Sequence, residues 1–280
     1  MNKKWYAAFF ALALVLQLSG CGNAAVEQAA APAAVVPAQT ETAPVSIPSN
    51  TPSSAKSSPP PTAETEKAAE PLYEMNKAFR FVPLNERVPE KAVLLTFDDG
   101  PKDEKTIRSL LDTLDKHKAK AIFFVNGYRV EQNPELLKLI HERGQMIGNH
   151  SFDHINLKKE DEATVESQIG KVQQSVKSLI GSEPVFFRPP YGEGNDTVKA
   201  AAKNHGMLYM TWSNGSLDWD ASAKNKPEVV IQNVMDQLHP GANILMHELQ
   251  WTADALDTLM DNIETEGYTF IDPGTIRLMN

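Results

Sequence analysis

The sequence is short of the residues on which several classes of protein depend. Its 280 residues contain a single cysteine, so the chain cannot form an internal disulfide or a metal site of several thiolates. Acidic residues outnumber basic ones by 36 to 27, and the formal net charge is −9. Because nucleic-acid-binding proteins usually carry basic patches that neutralise phosphates, this composition argues against a nucleic-acid partner.

The apolar stretch at the amino terminus, residues 5–18, is shorter than the roughly 20 residues that a membrane-spanning helix needs. Two lysines precede it, and Leu-Ser-Gly leads directly into Cys21. This pattern resembles a bacterial lipoprotein signal. The resemblance implies that residues 1–20 are removed and that a lipid on Cys21 anchors the chain outside the cytoplasmic membrane. An ordinary secretory signal, or an anchor helix with an incidental cysteine, is the alternative.

Residues 21–72 are dominated by Ala, Pro, Ser, Thr and Glu and contain no aromatic side chain. Such a segment buries too little apolar surface to offset the entropy lost on ordering, so we predict a disordered tether. The apolar content of the whole chain, 41%, supports a sizeable core in the remaining residues, 73–280. We expect those residues to form one folded domain.

Short apolar runs alternate with amphipathic stretches throughout this domain. The repeated strand–helix units indicate an α/β fold with a parallel sheet, and their number favours a (β/α) barrel over an open sheet. Side chains that carry chemistry should then lie at the carboxyl ends of the strands. We predict strands at residues 92–97, 121–125, 145–150, 186–187, 208–212, 243–246 and 268–271, and helices at residues 105–117, 134–143, 162–180, 196–205, 225–238 and 252–266.

Two adjacent aspartates, Asp98 and Asp99, follow the first of these strands. Successive side chains of a strand point to opposite faces, so both can serve one site only if the strand ends between or just after them. Gly100 and Pro101 predict such an end. Two solvated acids in a strand-to-helix turn are the alternative.

His150 and His154 stand four residues apart, a spacing that allows both imidazoles to face one ion. Histidine pairs at this spacing also occur without a metal. With an aspartate and no available cysteine, two histidines would give the three-ligand arrangement with an open position that is typical of catalytic Zn²⁺ or a similar divalent ion.

Five short motifs follow one another along the domain. They are TFDDGP (96–101), HSFDH (150–154), RPPYG (188–192), LDW (217–219) and LMH (245–247). In order and spacing they resemble the motifs of the polysaccharide deacetylase family of carbohydrate esterases, and the resemblance covers about residues 92–271. It implies a deformed (β/α) barrel of the polysaccharide deacetylase type, a metal at its carboxyl face, and hydrolysis of N-acetyl groups from acetylated sugar polymers.

The resemblance also implies a role for individual residues. Asp99, His150 and His154 would bind the divalent ion, with Zn²⁺ expected before Co²⁺ or another ion. Asp98 would be the general base that takes a proton from the attacking water, and Arg188 would pair with Asp98 and orient it.

The remaining implied residues would act on the substrate. The backbone N–H of Tyr191 would stabilise the oxyanion. His247 would be the general acid, held and polarised by Asp218. Trp219 and Leu245 would enclose the acetyl methyl group, with Tyr191 beside them.

Structural interpretations remain for several of these residues: a structural ion pair for Arg188, core packing for Trp219 and an ordinary half-buried histidine for His247. We assign two further aromatic residues, Trp212 and Trp251, to packing, with stacking on a sugar as the alternative.

One position departs from the family pattern. Many members carry a further aspartate three residues before the Asp-Trp pair, where this chain has Gly215. The departure bears on the shape of the pocket rim and therefore on the choice of substrate.

These features predict a membrane-tethered, metal-dependent deacetylase, expected as a monomer, that acts on N-acetylglucosamine or N-acetylmuramic acid of the cell wall. A chitin-oligosaccharide deacetylase and a xylan O-acetyl esterase are alternatives within the same chemistry. A solute- or glycan-binding lipoprotein without catalysis is the alternative from another class. An inactive relative is disfavoured because no catalytic position of the motifs is lost.

Overall fold

The computed structural model of the protein describes residues 70–278. The predicted signal, the lipidation at Cys21 and nearly all of the predicted tether lie outside the described residues. Among the helices that are described, none is both long enough and apolar enough to cross a membrane.

An eight-stranded parallel sheet forms the centre of the described structure. Its strands are β3 (Ala92–Gly100), β4 (Ala121–Val125), β5 (Met146–Asn149), β6 (Phe186–Phe187), β7 (Leu208–Tyr209), β8 (Asn214–Gly215), β9 (Ala242–His247) and β10 (Thr269–Phe270). They lie in the order β7-β6-β5-β4-β3-β9-β8, and β10 pairs with the start of β3.

The sheet is curled, and its two end strands, β7 and β8, are not hydrogen-bonded to each other within the described residues. The predicted deformed (β/α) barrel is therefore confirmed, as an open half-barrel. A separate two-stranded antiparallel sheet precedes it, formed by β1 (Tyr73–Met75) and β2 (Phe81–Pro83).

Within residues 70–278, seven α-helices cover the sheet, and several begin where the sequence supplies a capping side chain. Asp103, Asp161 and Asn195 each accept a hydrogen bond from a backbone N–H in the first helical turn. The helices are α1 (Glu104–Lys116), α2 (Gly127–Gln132), α3 (Pro134–Glu142), α4 (Glu162–Ile180), α5 (Asp196–Asn204), α6 (Pro227–Asp236) and α7 (Gln250–Thr265).

Apolar side chains fill both faces of the sheet, which explains why the central strands read as continuous apolar runs. On β3, Val93 and Leu95 enter the cluster beneath the helices, whereas Ala92 and Leu94 enter a second cluster inside the curled sheet. With both faces buried, the strand end at the carboxyl edge is the exposed place where polar groups can meet ligands.

The structure differs from the sequence prediction in its shortest elements. Helix α2 and strand β8 were not predicted, and β7 stops at Tyr209 instead of continuing to residue 212. Each of these segments has too few residues for a hydrophobic period to identify it.

Gly148 on β5 should be intolerant of a side chain. A Cβ atom there would lie 2.4 Å from Cδ1 of Phe124 on the neighbouring strand. We expect Gly148→Ala to lower the free energy of unfolding by about 1 to 3 kcal/mol through overpacking, as measured by denaturant titration.

Gly170→Ala is the matched control. Gly170 lies within α4, and its Cβ would be 3.6 Å from His205, an ordinary contact distance. This variant should gain up to about 1 kcal/mol because alanine is the better helix former. Equal changes in the free energy of unfolding for Gly148→Ala and Gly170→Ala would contradict the packing argument.

Candidate metal-dependent active site

A pocket of about 370 Å³ opens at the carboxyl edge of the sheet. Strands β3 and β9, and the segments that follow β5, β6, β7 and β8, contribute to it. Side chains from all five sequence motifs meet here. Its lining consists of Asp98, Asp99, His150, His154, Tyr191, Gly192, Trp212, Trp219, Leu245 and His247.

A β-bulge brings the two adjacent aspartates to this one pocket. The pairing of β3 with β4 skips a residue between Asp98 and Gly100, and Asp99 has a φ of 68°. Strand β3 ends just after the aspartates, at Gly100, as the sequence predicts, although it continues past the predicted bound at residue 97. A bulge leaves one residue unpaired and changes the direction of its side chain, so the alternation is broken without ending the strand.

Asp99, His150 and His154 converge as the three-residue cluster that the sequence predicts. Oδ1 of Asp99 lies 3.1 Å from Nε2 of His154 and 3.6 Å from Nε2 of His150. This Oδ1 atom is buried and has no well-directed hydrogen bond within the described chain. One carboxylate and two imidazoles that turn their free atoms towards one point form a donor set that fits a divalent ion.

The surroundings of His150 favour its neutral imidazole, which is the form that binds a metal. Its Nδ1 donates a hydrogen bond to the carbonyl oxygen of Arg188 at 2.6 Å, which leaves the lone pair on Nε2. Burial lowers the pKa of His150, and the charges of Asp98 and Asp99 offset that effect only in part. The neutral imidazole is therefore available to bind an ion.

A second group that could bind a cation lies on the surface, between the end of α1 and α7. It consists of His117, Asp261 and Glu264, and both acids are exposed. Nδ1 of His117 lies 3.1 Å from Glu264, so ion pairing accounts for this group without a metal.

Arg188 is completely buried beneath the pocket and forms an ion pair with Asp98, as predicted, at 2.7 Å between Nη1 and Oδ1. The pair occupies Oδ1 and leaves Oδ2 of Asp98 on the side of His150, 3.6 Å from Nε2. The other contacts of the guanidinium are the Thr96 hydroxyl, the Thr211 carbonyl, the Asn243 side chain and the face of the Phe124 ring.

His247 at the end of β9 donates from Nδ1 to Oδ1 of Asp218 at 2.7 Å, so Nε2 is free to act in the pocket. The other oxygen of Asp218 accepts hydrogen bonds from the His247 backbone and from Thr252 Oγ1. Burial alone would lower the pKa of His247, but the hydrogen bond to Asp218 and the charges of Asp218, Asp98 and Asp99 raise it above its ordinary value.

Glu248 was not predicted as part of the site, although it follows His247 directly. Its side chain is 3% exposed and has no salt-bridge partner within the described residues. Oε2 accepts a hydrogen bond from the backbone of Lys102, and Oε1 occupies the space beside Gly100. Burial raises the pKa of Glu248 to about 7.

Aromatic side chains form the rim of the pocket. Trp219, 47% exposed, stands edge-on to the ring of His247, and Tyr191, 61% exposed, has a φ of 62°. Trp212, which the sequence analysis assigns to packing, also lines the pocket. Trp251 does not line the pocket; it packs beside α6 and donates a hydrogen bond to the backbone of Asp218.

Gly215, where the sequence departs from the family pattern, lies buried between Trp212 and Trp219. A Cβ atom there would meet both rings at 3.6 to 3.8 Å, which is ordinary contact. The glycine therefore leaves room at the rim, and the backbone does not require it.

The fold and the pocket together define a parallel α/β-barrel protein with a candidate metal centre at the carboxyl ends of its strands. The family model for polysaccharide deacetylases matches residues 85–210. The chain belongs to this family.

Two curated relatives are named as peptidoglycan deacetylases. The chain is 37% identical over 221 residues to the peptidoglycan-N-acetylglucosamine deacetylase PgdA of Listeria monocytogenes, which covers 76% of this chain but only 46% of that protein. It therefore spans about half the length of that relative. It is 32% identical to the peptidoglycan-N-acetylmuramic acid deacetylase PdaA of Bacillus subtilis, over 65% of this chain and 69% of that one.

Similar solved structures include a protein described as inactive. The crystal structure of BA3943, a CE4 family pseudoenzyme from Bacillus anthracis, superposes with a TM-score of 0.63 at 30% identity, over 67% of each chain. A mutant of BA3943 with restored enzymatic activity matches equally well, with a TM-score of 0.63. The fold alone therefore does not distinguish an active chain from an inactive one, and the side chains of the pocket must decide.

Proposed function

We propose that this chain is a metal-dependent hydrolase that removes N-acetyl groups from a cell-wall polysaccharide. Its substrate would be N-acetylglucosamine or N-acetylmuramic acid in peptidoglycan. The observation that carries the proposal is one pocket that holds three metal-binding side chains, the carboxylate of Asp98 and the imidazole of His247. The names of the Listeria and Bacillus relatives support the choice of substrate.

Asp99, His150 and His154 would hold the divalent ion, and we propose Zn²⁺ because two imidazoles and one carboxylate suit it. When bound, such an ion supplies Lewis-acid chemistry, which makes an attacking water more acidic and stabilises negative charge on a carbonyl oxygen.

Asp98 would act as the general base. Its Oδ1 is held by Arg188, so Oδ2 is the atom that would take the proton from the water as the water oxygen attacks the amide carbon. Because Arg188 is buried and fixed by several acceptors, it would keep Oδ2 directed at the reacting atoms.

His247 would act as the general acid on the other side of the scissile bond. Nδ1 donates to Asp218, so the proton that reaches the departing nitrogen would come from Nε2. Cleavage of the C–N bond then gives acetate and the free amine of the sugar. Asp218 would both orient the ring and favour its protonated form.

The pocket walls would position the acetyl group. Trp219 and Leu245 present apolar surface next to His247, where a methyl group could be placed. The backbone N–H of Tyr191, on the opposite rim, would donate to the oxygen on which negative charge develops. Trp212 would extend the apolar wall towards the sugar.

Two specific observations bear on the alternatives. Since His247 is equipped to donate a proton, an amine leaving group is favoured over an alcohol, although chitin oligosaccharides and acetylated xylan use the same attack by water. A binding protein without catalysis, or an inactive relative such as BA3943, would not need the complete acid, base and metal-binding set.

We also propose that Cys21 carries a lipid and that residues 21–72 tether the domain, residues 73–280, to the outer surface of the membrane. The support is the lipoprotein-like signal and the composition of the tether. A tether of this kind would leave one domain acting as a monomer beside the cell wall.

Acetate release should depend on the divalent ion. We expect acetate from peptidoglycan and less from chitin oligomers or acetylated xylan, and a chelator should abolish release in every case. Asp99→Ala should lose the ion, whereas Asp98→Asn should retain it and lose turnover by about 10² to 10⁴-fold. Metal analysis of purified variants and an acetate assay measure both effects.

Asp261→Ala is the control for the metal, because Asp261 belongs to the surface group near His117. It should leave metal content and turnover unchanged. Loss of the ion from Asp98→Asn or Asp261→Ala, with retention in Asp99→Ala, would mean that the roles are assigned to the wrong residues.

Asp218→Asn should change the pH profile of the reaction. The pKa of His247 is raised by Asp218, so removing that charge lowers this pKa, and the general acid loses its proton at lower pH than in the wild type. The basic limb should move to lower pH, with the acidic limb nearly fixed. An amide substrate should lose about 10² to 10⁴-fold in rate, far more than an aryl acetate ester, whose leaving group needs little help.

Rates for both substrates across pH measure this effect, and Asp254→Asn on the exposed face of α7 is the matched control. Equal losses on the amide and the ester, with an unmoved basic limb, would remove the acid role from His247 and Asp218.

Cys21→Ser should release the protein from membranes without changing the specific activity of the domain, because only the lipidated residue is altered. Fractionation of cells that express either form tests this. A variant that stays fully bound to membranes would indicate that the amino-terminal apolar stretch remains as an anchor.

A further inference from the structure

The two histidines of the candidate metal site lie on a loop, residues 150–154, whose backbone is strained. Ser151 and His154 have φ values of 64° and 55°, in the left-handed region that non-glycine residues rarely adopt. Such a conformation persists only where the surrounding structure fixes it. The groups that fix this loop therefore determine where His154 points.

The first half of the loop is held from the start of α2. Asn126 donates from its side chain to the carbonyl oxygen of His150 at 2.8 Å. The backbone N–H groups of Gly127 and Tyr128 donate to the two following carbonyl oxygens at 3.2 and 3.1 Å. These contacts end at residue 152 and leave the part next to His154 to other groups.

The second half of the loop is held by Gln168 on α4. Its Oε1 accepts the backbone N–H of Asp153 at 2.8 Å, and its Nε2 donates to Oδ2 of Asp153 at 2.6 Å. Gln168 is 6% exposed, whereas Asp153 is exposed, so both bonds are partly buried. Within the described residues, this end of the loop has only one other hydrogen bond. The Tyr191 hydroxyl donates it to the carbonyl oxygen of His154, and it is long, at 3.4 Å.

We propose that Gln168 is a positioning residue for the metal site. Its two hydrogen bonds to Asp153 keep His154 beside Asp99 and His150. The inference rests on the proposed function, because it concerns the ion that those three residues would hold. It predicts that the affinity for a divalent ion depends on the pairing of residues 153 and 168, neither of which touches the ion.

The pairing can be broken and restored by exchanging its chemical groups. In Gln168→Glu, two carboxylates would face each other where an amide now donates to an acid, and the loop should be displaced. Asp153→Asn alone should have a small effect, because its amide oxygen can still accept from Gln168. In the double variant Gln168→Glu/Asp153→Asn, a carboxylate would accept from both the backbone N–H and the new side-chain amide, which re-forms both bonds.

Zn²⁺ binding to the purified full chain tests this, with dissociation constants from competition against a chromophoric chelator. We expect Gln168→Glu to weaken binding at least about tenfold and the double variant to return to within about threefold of the wild type. Zn²⁺ should also raise the unfolding temperature less in Gln168→Glu than in the wild type, and the full rise should return in the double variant. Gln174→Glu is the matched control, since it places the same charge on an exposed position of α4 and should leave affinity unchanged.

Three results would overturn the inference while the proposed function stands: wild-type affinity in Gln168→Glu, an equal loss in Gln174→Glu, or a double variant as weak as Gln168→Glu. Far-ultraviolet circular dichroism of each variant separates a displaced loop from a failure to fold, and recovery in the double variant excludes general damage to α4. If instead the wild type bound no Zn²⁺, the proposed function would fail and the inference with it.

Discussion

The buried ion pair between Arg188 and Asp98 is the interaction on which the site depends. A guanidinium with no exposed surface is tolerated only when its charge is paired and hydrogen-bonded. Both terminal nitrogens of Arg188 donate to groups on β3, β9 and the segment after β7, whereas Nε has no partner within the described residues. The carbonyl oxygen of the same residue accepts the Nδ1 proton of His150. One residue at the end of β6 thus fixes both the proposed base and a proposed metal ligand.

In a strand of regular geometry, Asp98 and Asp99 could not share one pocket. Alternation along β3 should send Asp98 and Asp99 to opposite faces, with one of them in the apolar layer beneath the helices. The bulge at Asp99 prevents this, and the two carboxylates reach the same pocket with different partners: Arg188 for Asp98, and the two histidines for Asp99. The division of labour proposed for them follows from that difference.

Sequence reasoning found the elements and residues that local pattern identifies. Helix α4 has the predicted bounds because Asp161 caps its start and Gly181, with a φ of 82°, ends it. The motif residues were found because parallel strands end at one edge of a sheet. Contacts made only by folding were missed: nothing in the sequence distinguishes Gln168, which binds the histidine loop, from Gln174, which faces solvent, or identifies Thr252 as a partner of Asp218.

The balance of charge around the pocket indicates where a cation is needed. Asp98 is neutralised by Arg188, and Asp218 is paired with His247. Burial raises the pKa of Glu248 to about 7, so this carboxyl group gains a proton below neutral pH. Asp99 is different: the nearest cation of the described chain is Lys102, 3.6 Å away and partly exposed, where solvent weakens the pairing. A divalent ion between Asp99 and the two histidines would balance the charge of this carboxylate.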